Sequence, residues 1–169
     1  MGKEPVSIIV VTYNRIDYFR SFVEFLYLLT SYPFKLIVVD NGSVDGTREL
    51  IMKLKNDGLV HEYVFNVINI PLAAAFTAGY IKVDTELFVT VADDMLPCVR
   101  YTTPCWLEIF VAKIKSDEKI GCINFVGARC DKKRFDVKQN IYNTIIKNGG
   151  EKYILFNKIH KLIYADIPK

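Results

Sequence analysis

The chain has 169 residues, of which 51% are hydrophobic and 24% are charged. These proportions fit one globular domain with a substantial core and argue against a disordered protein. The formal net charge of +3 predicts no nucleic-acid partner, although it suits an anionic ligand or a membrane surface.

Strands and helices alternate along the chain as far as about residue 126. The first strand is a continuous β-branched run, VSIIVVT, of the kind that is covered on both faces of a sheet. The predicted elements, in chain order, are strands over 6–12, 35–40, 60–67, 87–92 and 119–126, and helices over 17–29, from Thr47, over 72–81 and over 103–115.

Capping residues define several of these helix ends. Asn14 and Asp17 are candidate caps at the start of the first helix, and Gly58 is a candidate C-cap of the second. Thr103 as N-cap and Pro104 at the first helical position start the last of the four.

This alternation predicts an α/β fold, with a mostly parallel sheet, right-handed crossovers and helices on both faces. Ligands bind beyond the carboxyl ends of the strands in such sheets. The rule places three polar segments on one rim: residues 12–14, Asp40 with Asn41, and Asp93 with Asp94.

The last forty residues have a different character. They predict a helix over 137–147, capped by Asp136, and a β-hairpin around Asn157 and Lys158. We therefore divide the chain into a core over 1–128 and an extension over 129–169 that packs on the same domain. The lysines of the extension leave a peripheral membrane or partner surface open as an alternative to a packed subdomain.

Cysteine and hydropathy patterns bear on location. Cys98, Cys105, Cys122 and Cys130 form no CxxC pair, so reduced and mostly buried thiols are expected. No apolar run approaches the ~18 residues that span a bilayer, and residues 1–5 do not resemble a signal peptide. We expect a cytoplasmic protein, with peripheral membrane contact as the open alternative.

The carboxylates at the strand ends have two interpretations each. Asp40 can accept paired hydrogen bonds from a planar N–H donor such as a nucleobase edge, or it can build a turn with Asn41. Asp93 and Asp94 can hold Mg²⁺ or Mn²⁺, which prefer oxygen ligands, or they can form a surface turn. The buried strand before them favours a rigid binding site.

Three segments in order resemble the N-terminal signatures of family-two glycosyltransferases, which have the GT-A fold. These are SIIVVTYNR at 7–15, LIVVDNGSVDGT at 36–47 and ELFVTVADDMLP at 86–97. The resemblance covers roughly residues 5–126, and it implies an inverting enzyme that moves a sugar from a nucleotide diphosphate to an acceptor hydroxyl.

The resemblance also implies roles for single residues. Thr12 and Tyr13 match the segment beside the base, Asp40 with Asn41 the base-binding turn, Asp93 the ribose contact and Asp94 the metal ligand. The donor would be a nucleotide-diphosphate sugar, UDP-linked in most members. The metal would be Mn²⁺ or Mg²⁺, and the acceptor a sugar, lipid or protein hydroxyl.

Two departures from the family pattern leave other functions open. Pro71, Phe76 and Thr77 stand where the family usually has glycine, arginine and asparagine. No acidic residue downstream has the context of the catalytic base; the candidates considered are Asp117–Glu118, Asp131, Asp136 and Glu151. The alternative is a nucleotide-sugar-binding or scaffold module without its own transfer activity. A sugar nucleotidyltransferase is set aside, since TYNR stands where it needs a glycine-rich loop.

Overall fold

The computed structural model describes residues 2–95 and 105–123. The chain divides into two compact units, one of Met1–Val23 and Tyr32–Asp93 and the other of Glu24–Ser31 and Asp94–Lys169. The predicted boundary at residue 128, the C-terminal helix and the hairpin lie outside the described residues, so they stay predictions.

The described elements alternate as the sequence predicts. All four strands are parallel, in the order β3-β2-β1-β4, which confirms the predicted α/β fold. The elements are β1 (Val6–Thr12), α1 (Ile16–Leu29), β2 (Phe34–Asp40), α2 (Thr47–Asn56), β3 (Glu62–Phe65), α3 (Leu72–Tyr80), β4 (Phe88–Ala92) and α4 (Trp106–Ile114).

Helices cover both faces of the sheet. The connection through α2 leads from β2 to its neighbour β3 at one edge of the sheet. The connection through α3 leads in the opposite direction, from β3 past β2 and β1 to β4 at the other edge. Crossovers between parallel strands are right-handed as a rule, and with that hand the two steps put α2 and α3 on opposite faces. On the α3 face, Ile9 and Val39 pack with Ala75. A Cβ on Gly79 would lie only 2.5 Å from Ile9 Cγ2, so α3 approaches the sheet through a residue without a side chain.

Register brings the strand ends together on one rim. Thr12 pairs with Asp40 across β1 and β2, and Val11 pairs with Ala92 across β1 and β4. Every residue of β1 is buried, and so are the last five residues of β2. The first two polar segments therefore follow buried strands at one edge of the sheet. The prediction that Asp93 and Asp94 follow a buried strand is wrong, because Val91 is the one buried residue of β4 and Phe88 is 46% exposed.

The prediction that Asn14 and Asp17 cap the first helix is wrong. Asn14 has a left-handed φ of 49°, and its side-chain oxygen accepts the N–H of Val44. The backbone N–H of Ile16 donates instead to Asp45 Oδ2 at 3.0 Å. The cap thus comes from another loop, which sequence spacing cannot reveal.

Two further element boundaries differ from the predictions. The third strand covers only Glu62–Phe65 instead of residues 60–67. Residues 119–123 form no strand, and the rest of the predicted 119–126 strand lies outside the described residues. Residues 103 and 104, the predicted start of α4, lie outside them too.

The second unit contains Trp106, which packs in its core as predicted. Its indole Nε1 donates to Thr30 Oγ1 at 2.8 Å, and its ring meets the edge of Phe110 at 6.0 Å. Cys105 is buried and Cys122 is exposed. Within residues 2–95 and 105–123, no helix is long and apolar enough to cross a membrane.

Candidate functional site

The loops after β1 and β2 are tied to each other by hydrogen bonds. The N–H of Asn41 donates to the carbonyl of Thr12 at 2.9 Å, and the N–H of Asn14 donates to Ser43 Oγ at 2.9 Å. Thr12 is buried, whereas Tyr13 is 40% exposed on the rim. The two loops therefore form one rigid edge on which Tyr13 presents an aromatic ring.

Asp40 is fully buried at the end of β2. Its two carboxylate oxygens share the backbone N–H of Ser43, at 3.3 Å and 3.1 Å. Oδ2 also accepts Arg48 Nε at 2.8 Å. A buried carboxylate requires such compensation, because removing its charge from water is costly. Asp40 thus builds the turn and forms an ion pair, and a contact with a nucleobase stays a prediction.

Arg48 is a site residue that sequence reasoning missed. It donates from Nη2 to the carbonyl of Asn66, and its guanidinium lies 5.3 Å from the centroid of Phe65. It therefore connects α2 to the ends of β2 and β3. One signal could have found it: Arg48 is the second residue of α2, where the helix dipole disfavours a cation that has no acidic partner.

Asn41 uses the whole hydrogen-bonding capacity of its amide within the chain. Its nitrogen donates to Asn69 Oδ1 at 2.6 Å and to the carbonyl of Ile70 at 2.8 Å. Its oxygen accepts Asn66 Nδ2 at 2.9 Å and the N–H of Ile70 at 3.2 Å. An amide has two donors and two acceptor sites, so in this state Asn41 ties loops together. Its predicted nucleotide contact is left to the backbone or to another state.

Asp93 follows β4 and is buried beside β1. Its Oδ2 accepts Thr12 Oγ1 at 2.9 Å, and its Oδ1 lies 3.4 Å from Arg15 Nη1. The Arg15 side chain is 51% exposed, so its guanidinium also faces solvent. The structure thus brings Thr12 and Asp93 together, two residues that are 81 positions apart in sequence.

Asp94 follows Asp93 directly and is only partly buried. Across the residues that the structure describes, no group of three or more His, Cys, Asp or Glu side chains could hold a metal ion. Mg²⁺ commonly takes only one or two carboxylates and completes its shell with waters and substrate phosphates. The oxygen donors of Asp93 and Asp94 fit a hard cation of this kind.

Asp45 is a second residue that sequence reasoning missed. Its Oδ1 accepts Thr47 Oγ1 at 2.5 Å, and its Oδ2 accepts the N–H of Ile16. Burial alone would raise the pKa of Asp45, but the hydrogen bonds from Thr47 and Ile16 hold that pKa below its usual range. Asp45 thus fixes the start of α1 against the loop after β2.

Phe76, where the family pattern has arginine, lies in an apolar setting. It lines a cavity of about 200 Å³ between α3 and β4. Ile9, Thr77, Tyr80, Phe88 and Thr90 line the rest of that cavity. Phe76 is therefore part of the packing of α3, and it offers no charge to a donor.

The catalytic base is not assigned. Beyond β4, the acidic residues that the structure describes besides Asp93 and Asp94 are Glu108 in α4 and Asp117 and Glu118 after it. Asp131, Asp136 and Glu151 lie outside the described residues.

Several solved structures resemble this chain in fold. A TarS structure from S. aureus is 22% identical, with a TM-score of 0.54, over 66% of this chain and 19% of that chain. The mannosyltransferase PcManGT from Pyrobaculum calidifontis, in complex with GDP-Man and Mn²⁺, is 22% identical, with a TM-score of 0.58, over 73% of this chain and 36% of that one.

A third structure is S. aureus TarS 1-349 in complex with UDP-GlcNAc, 21% identical with a TM-score of 0.54. It matches 73% of this chain, which spans 36% of the TarS chain. The present chain thus spans well under half of each of these structures. At such identities the likeness shows the fold alone, which is the Rossmann-like GT-A fold.

Sequence comparison identifies the family. No curated protein matches the chain significantly. The family described as "Glycosyl transferase family 2" matches residues 7–165. That range includes the three ordered segments and most of the chain, so this protein belongs to glycosyl transferase family 2.

Proposed function

We propose that the chain transfers a sugar from a nucleotide-diphosphate sugar, UDP-linked, to an acceptor hydroxyl with a divalent metal and inversion of configuration. The observation that carries this proposal is the buried hydrogen bond from Thr12 Oγ1 to Asp93 Oδ2. It joins the ends of β1 and β4 beside Asp40, which pairs with Thr12 in the sheet.

The proposed nucleotide side consists of Thr12, Tyr13, Asp40, Asn41 and Asp93. Thr12 and Arg15 hold the carboxylate of Asp93 from two sides, so it cannot rotate freely. Such preorganisation favours a fixed contact with a ribose hydroxyl.

Asp94 is the proposed metal ligand. A bound Mn²⁺ or Mg²⁺ would neutralise charge on the diphosphate leaving group. Two structures of similar fold support this side of the proposal, since PcManGT is in complex with GDP-Man and Mn²⁺ and TarS 1-349 is in complex with UDP-GlcNAc.

The acceptor is a sugar, lipid or protein hydroxyl, and a lipid acceptor would require peripheral membrane contact. In an inverting transfer, a base removes the proton of that hydroxyl as it attacks the anomeric carbon.

A thermal-shift screen tests the donor site. UDP-, GDP-, CDP- and dTDP-sugars are added to the chain with and without Mn²⁺, and a ligand that binds the folded state raises the melting temperature. We expect a UDP-sugar to give the largest shift, and only with metal. In Asp94→Ala the metal-dependent part of the shift should vanish.

Glu118→Ala is the matched control, because Glu118 is an exposed carboxylate beyond α4. Its melting-temperature shifts should equal those of the wild type. A metal-dependent shift that survives in Asp94→Ala would exclude Asp94 as the ligand. Absence of any shift in the wild type would contradict the proposed function.

A binding module without transfer activity is the second candidate. Phe76 favours it, because it replaces the cation that would contact the donor and instead lines an apolar cavity. Release of UDP from a UDP-sugar by the purified chain, measured over hours, would exclude this candidate.

A further inference from the structure

The carboxylate of Asp40, which the family resemblance places beside the nucleobase, is not exposed at the surface. Asp40 is 0% exposed, and its Oδ2 already accepts both Ser43 N–H and Arg48 Nε. A nucleobase that contacted it directly would have to displace part of this buried arrangement.

Arg48 is the exposed member of the same pair. Its side chain is 36% exposed, while that of Asp40 is 0% exposed. Nε is held by Asp40 and Nη2 by the carbonyl of Asn66, and Phe65 lies against the guanidinium. Within the part of the chain that the structure describes, Nη1 makes no hydrogen bond. The guanidinium is therefore fixed in place with donors still available.

We propose that Arg48 contacts the nucleobase by donating from Nη1 to a carbonyl oxygen, and that Asp40 acts as a positioning residue that holds Arg48. This inference rests on the proposed function, because it assumes a nucleotide donor. A guanidinium recognises planar acceptor edges well, since its N–H groups have a rigid geometry.

The inference predicts which bases bind. Uracil and guanine carry a carbonyl oxygen on the edge, whereas adenine carries none. UDP should bind more tightly than ADP, because with adenine the Nη1 donors lose their acceptor. Binding of inorganic diphosphate with Mn²⁺ should not depend on Arg48.

Calorimetric titration of the full chain with UDP, ADP and inorganic diphosphate, each with Mn²⁺, tests this. A charge-assisted hydrogen bond corresponds to roughly 10- to 100-fold in affinity. Arg48→Gln should lose roughly that factor for UDP and leave ADP and diphosphate unchanged. Lys53→Gln, which removes the same charge from the same helix, should bind all three ligands like the wild type.

Arg48→Lys covers the case in which Arg48→Gln does not fold. It keeps a cation for Asp40 but has a single nitrogen, so it should fold and still lose most of the UDP-over-ADP preference. Asp40→Asn should reduce that preference in the wild-type background. It should change nothing further once Arg48 is Gln, because the two residues act as a unit.

The outcomes separate the two proposals. A UDP-over-ADP preference that persists in Arg48→Gln or Arg48→Lys would overturn this inference and leave the proposed function standing. A wild-type chain that binds neither nucleotide nor diphosphate would overturn both.

Discussion

Each end of the sheet has an ion pair, and the two pairs differ in how exposed the carboxylate is. At the carboxyl end, the carboxylate of Asp40 is 0% exposed and pairs with Arg48 at 2.8 Å. At the amino end, Asp84 is 62% exposed and pairs with Lys35 at 2.5 Å. The two cations are about equally exposed, at 36% for Arg48 and 35% for Lys35, so the pairs differ in the burial of their carboxylates.

The difference follows from what each end must hold. An exposed ion pair is screened by water and contributes little to stability, whereas a buried carboxylate depends on every partner it has. The carboxyl end therefore orders its loops through a few buried polar groups. We expect substitutions at this end to cost more than matched substitutions at the amino end.

The largest expected effect is at Asp40. Asp40→Ala removes the acceptor of the Ser43 N–H and the partner of Arg48, and should lower the free energy of unfolding by about 3 kcal/mol. The loss stays at the low end of the range for buried pairs because Arg48 can turn toward solvent. Urea denaturation measures it.

Asp84→Ala is the matched change at the amino end. The hydrogen bond from Lys35 holds the pKa of Asp84 below its usual range, but the carboxylate is exposed, so the loss should be far smaller. Equal losses at the two ends would contradict the comparison.

One glycine at each end of the sheet has a left-handed backbone conformation, and only the one at the carboxyl end is also closely packed. Comparing alanine substitutions at the two positions separates the cost of the conformation from the cost of the clash. Gly42 has φ of 91°, and a Cβ there would lie 2.8 Å from the carbonyl carbon of Ile68. Gly58 has φ of 74°, with nothing within 4 Å of such a Cβ. Gly58→Ala should cost about 1 kcal/mol for the left-handed conformation alone.

Gly42→Ala should cost about 2 kcal/mol, because the clash with the backbone of residue 68 is added to the same conformational cost. Thermal unfolding of both variants gives the difference. If both lost the same amount, the contact between the two loops would have no energetic weight.

Sequence patterns predicted β1, β2 and the edge strand β4 to within one residue, but they did not predict β3 or the segment after α4 as well. β1 matches the predicted range and β2 begins one residue early, because each is a continuous apolar run buried on both sides. β3 is shorter than predicted, and residues 119–123 form no strand at all. Apolar content alone does not show whether a neighbouring strand is in place to pair with.

The sequence predicted which residues lie at the strand ends, but not the hydrogen bonds and ion pairs between them. The rule for parallel sheets placed Thr12, Asp40 and Asp93 at one edge, and the structure does so. It could not show that Asp40 is paired with Arg48, or that Asp45 caps α1. These contacts depend on how close the loops lie in the fold, and the spacing of residues along the sequence does not show that.

The smallest expected effect is a pH dependence at the amino end. His61 Nδ1 accepts the backbone N–H of Leu36 at 3.0 Å, which requires an unprotonated nitrogen. Burial lowers the pKa of His61 below its ordinary value of 6.5, and the charges of Lys35 and Lys55 lower it further, against the opposing charges of Asp84 and Glu62. The unfolded chain therefore binds a proton more readily than the folded one.

By linkage, this contribution to stability is present above pH 6.5 and is lost as the pH falls from there through the lower pKa of the folded state. Urea midpoints between about pH 7.5 and about pH 5.5 should fall more steeply in the wild type than in His61→Gln, which cannot titrate. Parallel curves would mean that the bond from Leu36 to His61 does not resist protonation. A steeper curve in His61→Gln than in the wild type would mean that folding does not lower the pKa of His61.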